Sequence, residues 1–278
     1  MKLSAGISDI AIGLIDGPVA LRHPALDITN IREVSPSAVA QCLDENSLAC
    51  THGTFVAGVL SGKRESIAPG ICPGCTLLAR PVFAEANPPD SQMPAATAGE
   101  LAQAIVEVIE AGARLINLSV ALMEYSAPGE RELKQALDFA ARAHVIVISA
   151  AGNHGALRGS VITRHPWVMP VVAYDSRREL MPMSNLGSSI GERGVGAAGE
   201  AVTSLRAVSG SLTISGTSAA TPFVTGAAAL LWSCLPQANA MEIKLAVLGT
   251  RPRRVLAPPL LNAEAAYERL AHTTLAAL

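Results

Sequence analysis

The sequence predicts a three-layer α/β fold in which a central, mostly parallel sheet carries helices on both faces. Short apolar runs alternate along the chain with amphipathic stretches, and this alternation is typical of strands joined by crossover helices. Half of the 278 residues are hydrophobic and 16% are charged, so the chain can bury a sizeable core. Because no internal repeat, low-complexity tract or linker interrupts the pattern, we expect a single domain over residues 1–278.

The predicted strands are short and apolar. The run VIVIS at residues 145–149 is almost continuously hydrophobic, as in a parallel strand that is buried on both faces. The first apolar run stops sharply at Asp16-Gly17-Pro18, where a turn is expected. Strands are expected at residues 10–15, 77–83, 115–120, 145–149, 167–174 and 212–215.

The predicted helices have apolar residues at helical spacing, or small residues that allow close packing. In the stretch 99–111, Leu101, Ile105 and Val108 fall on one face. His52 is expected at the start of another helix. Helices are expected near residue 52 and at residues 99–111, 130–143, 217–235, 240–248 and 263–271.

The charge balance argues against nucleic acid and membrane as partners. The chain has 21 basic and 23 acidic residues, and this balance provides no electrostatic footprint for nucleic acid or an anionic membrane. No run reaches about 18 apolar residues without a breaker. Asp9 and Asp16 bracket the apolar run near the N-terminus, which is better explained as a buried strand. We therefore expect a cytoplasmic protein.

The five cysteines are an odd number, so at least one cannot pair within the chain. Free thiols packed as small hydrophobic side chains are the expected state. A local disulfide, either Cys42–Cys50 or Cys72–Cys75, is an alternative. The Cys72-Pro73-Gly74-Cys75 motif could also be half of a zinc site, but the second pair that such a site needs is missing.

Three polar residues that can carry chemistry lie at the ends of predicted strands. Asp16 ends the first strand, Asn153 follows the fourth, and Ser218 opens a helix just after the last. The carboxyl ends of parallel strands meet at one edge of a sheet. We therefore expect these three residues to converge there with His52.

These residue types suit nucleophilic catalysis. A hydroxyl is a poor nucleophile near neutral pH and needs a base, while the base needs a third group to orient it. Ser218 can be the nucleophile, His52 the base and Asp16 the orienting carboxylate. Asn153 and the Ser218 N–H can donate hydrogen bonds to the oxyanion of a tetrahedral intermediate. Taken singly, each residue also has an ordinary structural explanation, as a turn acid, a helix-start histidine, a loop amide or an N-cap neighbour.

The flanks of these residues form motifs that extend along most of the chain. The motifs are Ile15-Asp16-Gly17, His52-Gly53-Thr54, Ala151-Gly152-Asn153 and Gly216-Thr217-Ser218-Ala219-Ala220-Thr221-Pro222. In this order they resemble the subtilisin (subtilase) family of serine proteases, whose catalytic residues follow the order Asp, His, Ser. The resemblance implies a subtilisin-like fold and a serine endopeptidase that hydrolyses peptide bonds.

The resemblance also implies roles for particular residues. Asp16, His52 and Ser218 would form the catalytic triad, and Asn153 would complete the oxyanion hole. A peptide or protein substrate would lie in extended form against the strand around residues 119–121 and the segment 151–152, adding a strand to the sheet. The expected substrate-binding residues are Ser119, Val120, Ala121, Ala151 and Gly152. No cofactor and no metal ion are expected.

A narrower resemblance concerns proteases that mature peptides. Asp16-Gly17-Pro18-Val19, His23-Pro24 and the cysteine-containing stretch before Arg80-Pro81-Val82-Phe83 are similar to cyanobactin-type maturation proteases. Those enzymes cleave ribosomal precursor peptides at leader or follower junctions, which makes a natural-product precursor a candidate substrate. Asp16 lies so near Met1 that neither a signal peptide nor a prodomain is expected. Since the helical insertion of the macrocyclising relatives is absent, hydrolysis is favoured over transamidation.

A second class of function remains open at this point. The chain could be a catalytically silent peptide-binding module of the same fold, or the scaffold of a biosynthetic complex. The complete set Asp16, His52 and Ser218 argues against loss of turnover, because drift would usually have altered one of the three. The sequence does not determine the oligomeric state or the cleavage site.

Overall fold

The computed structural model describes residues 4–34, 42–83, 96–119, 129–249 and 256–276, with the backbone alone for residues 273–276. Its elements in chain order are β1 (Ala11–Asp16), β2 (Ile31–Glu33), α1 (Leu48–Ser61), β3 (Thr76–Pro81), α2 (Ala98–Glu110), β4 (Leu115–Leu118), α3 (Glu130–Arg142), β5 (Ile146–Ala150), α4 (Val161–Arg164), β6 (Met169–Tyr174), α5 (Ser188–Arg193), β7 (Val195–Ala198), β8 (Val202–Leu205), β9 (Ser211–Ile214), α6 (Thr217–Cys234), α7 (Ala240–Leu248) and α8 (Ala263–Ala276). A 3-10 turn, Ile28–Asn30, precedes β2.

Seven of the described strands form one sheet in the order β2-β3-β1-β4-β5-β6-β7. Every adjacent pair in this sheet is parallel, so the expected α/β architecture is confirmed. The remaining pair, β8 and β9, forms an antiparallel hairpin. Strands β1 and β4 lie side by side. From β1 the chain continues to β2 and β3 on one side of the sheet, and from β4 it continues to β5, β6 and β7 on the other side. The strand order therefore reverses between β1 and β4. A crevice at such a switch point is where open α/β sheets bind ligands.

Strand β1 shows how the sheet separates two hydrophobic cores. Ile12 and Leu14 face the core that contains α1 and α6, while Ala11 and Ile15 face the core under α2 and α3. The alternation follows from the strand geometry, in which successive side chains point to opposite faces. Because helices cover both faces, the strands are apolar nearly throughout, as the sequence predicts.

Helices α1 and α6 lie deep in the first core and pack against each other. Both are apolar or small around most of their circumference, which is typical of a helix that is buried on all sides. Phe55, Val56 and Leu60 on α1 and Ala228 on α6 are fully buried. Within the described ranges, α6 included, no helix is long and apolar enough to span a bilayer.

The predicted elements are present, with bounds that mostly shift by a few residues. The start of α1 differs because the Ser47 hydroxyl accepts a hydrogen bond from the Cys50 N–H at 3.1 Å and caps the helix there. His52 therefore lies in the second turn of α1 and not at its start. The sequence pattern does not predict β2, β7 and β8, which lack the continuous run of large apolar residues that β1 and β5 show.

The cysteines are in two states. Cys42 and Cys50 form a disulfide, whereas Cys72, Cys75 and Cys234 are free thiols. The expectation of free thiols is therefore wrong for the first pair, and the alternative of a local Cys42–Cys50 bridge is correct. The bridge ties the segment before α1 to the first turn of the helix that carries His52.

We expect loss of the Cys42–Cys50 bridge to lower stability moderately. The cysteines are eight residues apart, and closing so short a loop in the unfolded chain accounts for about 2.5 kcal/mol. For a chain of this size, that corresponds to a fall of about 4 °C in Tm for Cys42→Ser/Cys50→Ser. Differential scanning fluorimetry measures the shift, with Cys234→Ser as control. An unchanged Tm in the double variant would show that the bridge does not stabilise the fold.

Candidate active site

The residues singled out from the sequence gather at the carboxyl edge of the sheet. Asp16 is the last residue of β1, and Ser119 follows β4 directly. The segment 151–153 follows β5, the next strand along. Ser218 lies in the first turn of α6, and its carbonyl oxygen is 3.3 Å from the Ser119 hydroxyl at this edge. Asp16 is paired with His52 at this edge, and hydrogen bonds join the first turn of α6 to Ser119 and Asn153.

Asp16 and His52 form a buried pair. His52 Nδ1 lies 2.6 Å from Asp16 Oδ1, and the two residues are 8% and 0% exposed. The same Asp16 oxygen accepts a hydrogen bond from the Gly17 N–H at 2.7 Å. A carboxylate can only accept, so the imidazole proton lies on Nδ1 and leaves Nε2 as the acceptor of the neutral ring. This tautomer is the one that a general base needs.

Two glycines allow the backbone of α1 to touch the loop that follows Asp16. A Cβ atom on Gly53 would lie 2.2 Å from the Gly17 carbonyl oxygen and 2.5 Å from that of Pro18. A Cβ atom on Gly17 would lie 1.9 Å from the Ala49 carbonyl oxygen. Each glycine is the chain neighbour of Asp16 or His52. The short distance between carboxylate and imidazole therefore depends on the absence of two side chains.

Burial and Asp16 act in opposite directions on the pKa of His52. Burial disfavours the imidazolium and lowers the pKa, whereas the negative charge of Asp16 and its hydrogen bond raise it. The second influence prevails, and the pKa of His52 is raised above its ordinary value of 6.5. Asp16 thus makes His52 a stronger base than a free histidine.

Asn153 is oriented by the start of α6. Its Oδ1 accepts hydrogen bonds from the Thr217 N–H and the Thr217 hydroxyl, both at 2.9 Å. Gly216 makes room for the amide, because its φ is +136° and a Cβ there would lie 3.0 Å from Asn153 Nδ2. With the acceptor oxygen engaged, the side chain offers its NH₂ donors beside Ser218. An exposed loop residue is thereby fixed for use as a donor.

The loop after β5 is held by two further residues. The Gly152 N–H donates to the Thr217 hydroxyl at 3.2 Å, which joins this loop to α6. Asn185 Oδ1 accepts hydrogen bonds from the N–H groups of His154 and Ala156, both at 3.0 Å. The backbone that carries Asn153 is therefore fixed on both sides of that residue.

Most of the other predicted positions can be placed in the structure. Ser218 is half-buried in the first turn of α6 and Ala151 is buried. Ser119 is 5% exposed, and its hydroxyl lies 3.3 Å from the Ser218 carbonyl oxygen. Val120 and Ala121, which are also predicted to bind substrate, lie outside the described residues. In the part of the chain that is described, no three His, Cys, Asp or Glu side chains are placed to hold a metal ion.

The motifs do not predict the roles of Thr217, Asn117 and Asn185 in the site. Thr217 fixes Asn153, Asn185 fixes the loop after β5, and Asn117 donates to the Ser119 hydroxyl at 2.8 Å. Asn117 carries the clearest signal, because an amide within the apolar run of β4 must find buried partners. Asn185 has no comparable signal, since it contacts a segment far from it in the chain.

Serine hydrolases use a histidine that a buried carboxylate orients, together with a nucleophilic serine and fixed oxyanion donors. The Asp16–His52 pair, Ser218 in the first turn of α6 and the oriented Asn153 amide supply these groups. Residues 8–267 match the Subtilase family, and the chain belongs to that family. It is accordingly a subtilisin-like serine protease, as the motifs predict.

Relatives among characterised proteins include several subtilisins. The chain is 28% identical over 243 residues to Subtilisin DY of Bacillus licheniformis, covering 85% of this chain and 81% of that protein. It is 29% identical over 266 residues to Subtilisin Savinase of Lederbergia lenta, covering 93% and 91%. With Subtilisin E of Bacillus subtilis the identity is 31% over 236 residues, but these cover only 57% of that protein.

Solved structures include two peptide maturation proteases. The protease domain of PatA, in a mutant form, superposes with a TM-score of 0.86 at 29% identity and covers 98% of both chains. The prenylagaramide maturation protease PagA superposes with a TM-score of 0.83 at 28% identity, covering 97% of this chain and 96% of that one. The narrower resemblance to precursor-peptide proteases is confirmed at the level of fold and sequence.

We expect Asp16→Asn to lower the pKa of His52 from above 6.5 to below it. The substitution removes the charge that raises the pKa, while the burial that lowers it remains. An NMR titration of the imidazole measures both values, with the exposed His154 as internal control. An unchanged pKa for His52 would contradict the assigned pairing.

The same pairing has a consequence for stability. The pKa of His52 is higher in the folded state than in the unfolded chain. The pair therefore stabilises the fold below pH 6.5, and this contribution is lost as the pH rises through the folded-state pKa.

We expect Gly53→Ala to destabilise the protein and to separate Asp16 from His52. The added Cβ would overlap backbone atoms, so α1 or the loop must move, at a cost of about 2 kcal/mol. Gly99→Ala is the matched control, because a Cβ at this position in α2 meets nothing within 4 Å and should stabilise by up to about 1 kcal/mol. Urea unfolding gives both free energies. Equal effects at the two positions would refute the close-contact argument.

Proposed function

We propose that this protease is an endopeptidase in which Ser218 attacks the scissile carbonyl carbon. His52 Nε2 takes the hydroxyl proton as the bond forms, and Asp16 stabilises the resulting imidazolium. The Ser218 N–H and the Asn153 amide donate hydrogen bonds to the oxyanion. His52 then protonates the leaving amine, and a water molecule releases the acyl group by the reverse route.

One observation carries this proposal, namely the buried Asp16–His52 pair. Removing two ionisable groups from water costs free energy, and buried pairs with a perturbed pKa are typical of functional sites. The pair also fixes the tautomer in which His52 Nε2 can accept a proton. Its place at the switch point of the sheet adds a crevice in which a substrate can meet it.

The proposed mode of peptide binding follows from the position of the segments after β4 and β5, which lie at the same edge of the sheet. Ser119 follows β4, and Ala151 and Gly152 follow β5, its parallel neighbour. An extended peptide between these segments would lie across the carboxyl edge next to Ser218. Backbone hydrogen bonds would hold the peptide, while side-chain pockets would select it. Val120 and Ala121 complete the proposed set.

We further propose that the substrate is a ribosomal precursor peptide from which a leader or follower is removed. Two proteins of similar sequence and fold, PagA and PatA, are named maturation proteases, of prenylagaramide and of patellamide. The net charge of −2 gives no reason to add nucleic acid or an anionic membrane as a partner.

We also propose that the protease acts in the cytoplasm and that residues 1–278 form a single peptidase domain. Disulfides are rare in the reducing cytoplasm. The start of α1 does not depend on the Cys42–Cys50 bridge, since Ser47 caps it independently. The helix that carries His52 is therefore expected to keep its start when the bridge is reduced.

We expect a fluorophosphonate probe to label the wild type once, at Ser218, and to leave Ser218→Ala unlabelled. The probe needs an activated hydroxyl, which a catalytically silent peptide-binding module or scaffold would lack. Intact mass spectrometry counts the adducts, and circular dichroism confirms that both proteins are folded. Lack of labelling of a folded wild type would reject the nucleophile and favour the silent module.

A labelled enzyme can then be tested with a peptide library derived from a proteome digest. Cleavage confined to a few related sequences supports precursor processing. Cleavage of most extended peptides rejects that part of the proposal and leaves a general endopeptidase.

A further inference from the structure

Helix α6 contains a proline, Pro222, four residues after Ser218. Proline has no backbone N–H, so the Ser218 carbonyl oxygen lacks the partner that it would have in a regular helix. The pyrrolidine ring also crowds that carbonyl and forces it away from the regular helical position. The residue proposed as nucleophile therefore begins with an incomplete set of backbone hydrogen bonds.

The missing partner comes from the neighbouring strand. The Ser119 hydroxyl, just after β4, donates to the Ser218 carbonyl oxygen at 3.3 Å. Asn117 fixes the direction of this bond, because its Nδ2 donates to Ser119 Oγ at 2.8 Å. A hydroxyl that accepts from an amide keeps its own hydrogen for the second bond.

The chain of hydrogen bonds returns to α6. The Thr225 hydroxyl lies 2.9 Å from Asn117 Oδ1, and both residues are 0% exposed. Asn117 is thus held through both ends of its amide. Three hydrogen bonds connect the third turn of α6, the end of β4 and the carbonyl of Ser218. Buried networks of this kind are rigid when every member is satisfied.

We propose that Ser119 is a positioning residue for Ser218, whose hydroxyl replaces the helical hydrogen bond that Pro222 removes. The inference rests on the proposed role of Ser218 as nucleophile. Ser119 acts through the backbone of Ser218, since both of its side-chain bonds are made within the protein. Its burial, with 5% of the residue exposed, supports this role over a side-chain contact with substrate.

The first test measures the rate of fluorophosphonate labelling, for which no peptide subsite is needed. Ser119→Ala should slow labelling about 10-fold, the effect of one hydrogen bond. With a peptide substrate, kcat should fall while KM stays the same. The control is Ser149→Ala, on the adjacent strand β5, where the buried hydroxyl bonds to the Ala150 carbonyl oxygen and not to α6. A rise in KM at constant kcat would assign Ser119 to substrate binding and overturn the proposal.

The second test restores the missing donor. Pro222→Ala supplies an N–H four residues after Ser218, so the helix can satisfy the carbonyl without Ser119. In this background Ser119→Ala should slow labelling less than about 2-fold, and the double variant should show clear coupling. Effects that simply multiply would show that the two residues act independently and would refute the inference.

A pair of variants of equal shape covers the case in which Ser119→Ala does not fold. Ser119→Thr keeps the hydroxyl and should label within about 3-fold of wild type, whereas Ser119→Val should label about 10-fold more slowly than Ser119→Thr. Equal rates for the two would contradict the proposal.

Failure of the proposed function gives a different result, since the wild type is then not labelled at all. Hydrogen exchange of the first turn of α6 tests the positioning role without any label. Exchange there should rise in Ser119→Ala and not in Ser149→Ala, and unchanged exchange would overturn the inference.

Discussion

The backbone contact between α1 and the loop after β1 is the constraint on which the site depends. Gly17 and Gly53 let the two segments approach until carbonyl oxygens occupy the space where side chains would stand. Only at that distance can Asp16 at the end of a strand reach His52 on a helix. The packing of α1 against α6 joins the helix that carries His52 to the helix whose first turn contains Ser218. The raised pKa of His52 therefore depends on Gly17 and Gly53, because only residues without a side chain allow this close approach.

The same edge of the sheet also fixes the polar groups around Ser218. On one side, Thr217 orients Asn153 and receives the Gly152 N–H. On the other, Ser119 bonds to the carbonyl of Ser218 itself. The first turn of α6 is therefore joined to the ends of β5 and β4 by hydrogen bonds that involve no exposed flexible side chain except Asn153. Preorganisation of this kind lowers the cost of arranging donors during a reaction.

The sequence predicts the architecture well because local patterns determine it. Buried parallel strands such as β5 are continuous apolar runs, and α2 shows its face through Leu101, Ile105 and Val108. The short strand β2 escapes detection, since its pairing partner β3 lies far along the chain. The Cys42–Cys50 bridge could be named only as one of several options, because spacing alone does not decide pairing.

For the site, the motifs identify residues but not the relations among them. The adjacency of Asp16 and Gly17 is visible in the sequence, whereas the contact of Gly17 with Ala49 is a property of the fold. Pro222 is likewise visible within the helix motif, and a proline there implies an orphaned carbonyl four residues earlier. Which group satisfies that carbonyl depends on the fold, since α6 must pack across β4 for Ser119 to reach the carbonyl of Ser218. Single residues therefore determine which chemical groups are present at this edge of the sheet. The relative positions of those groups are determined by the topology, which brings three strands and two helices together.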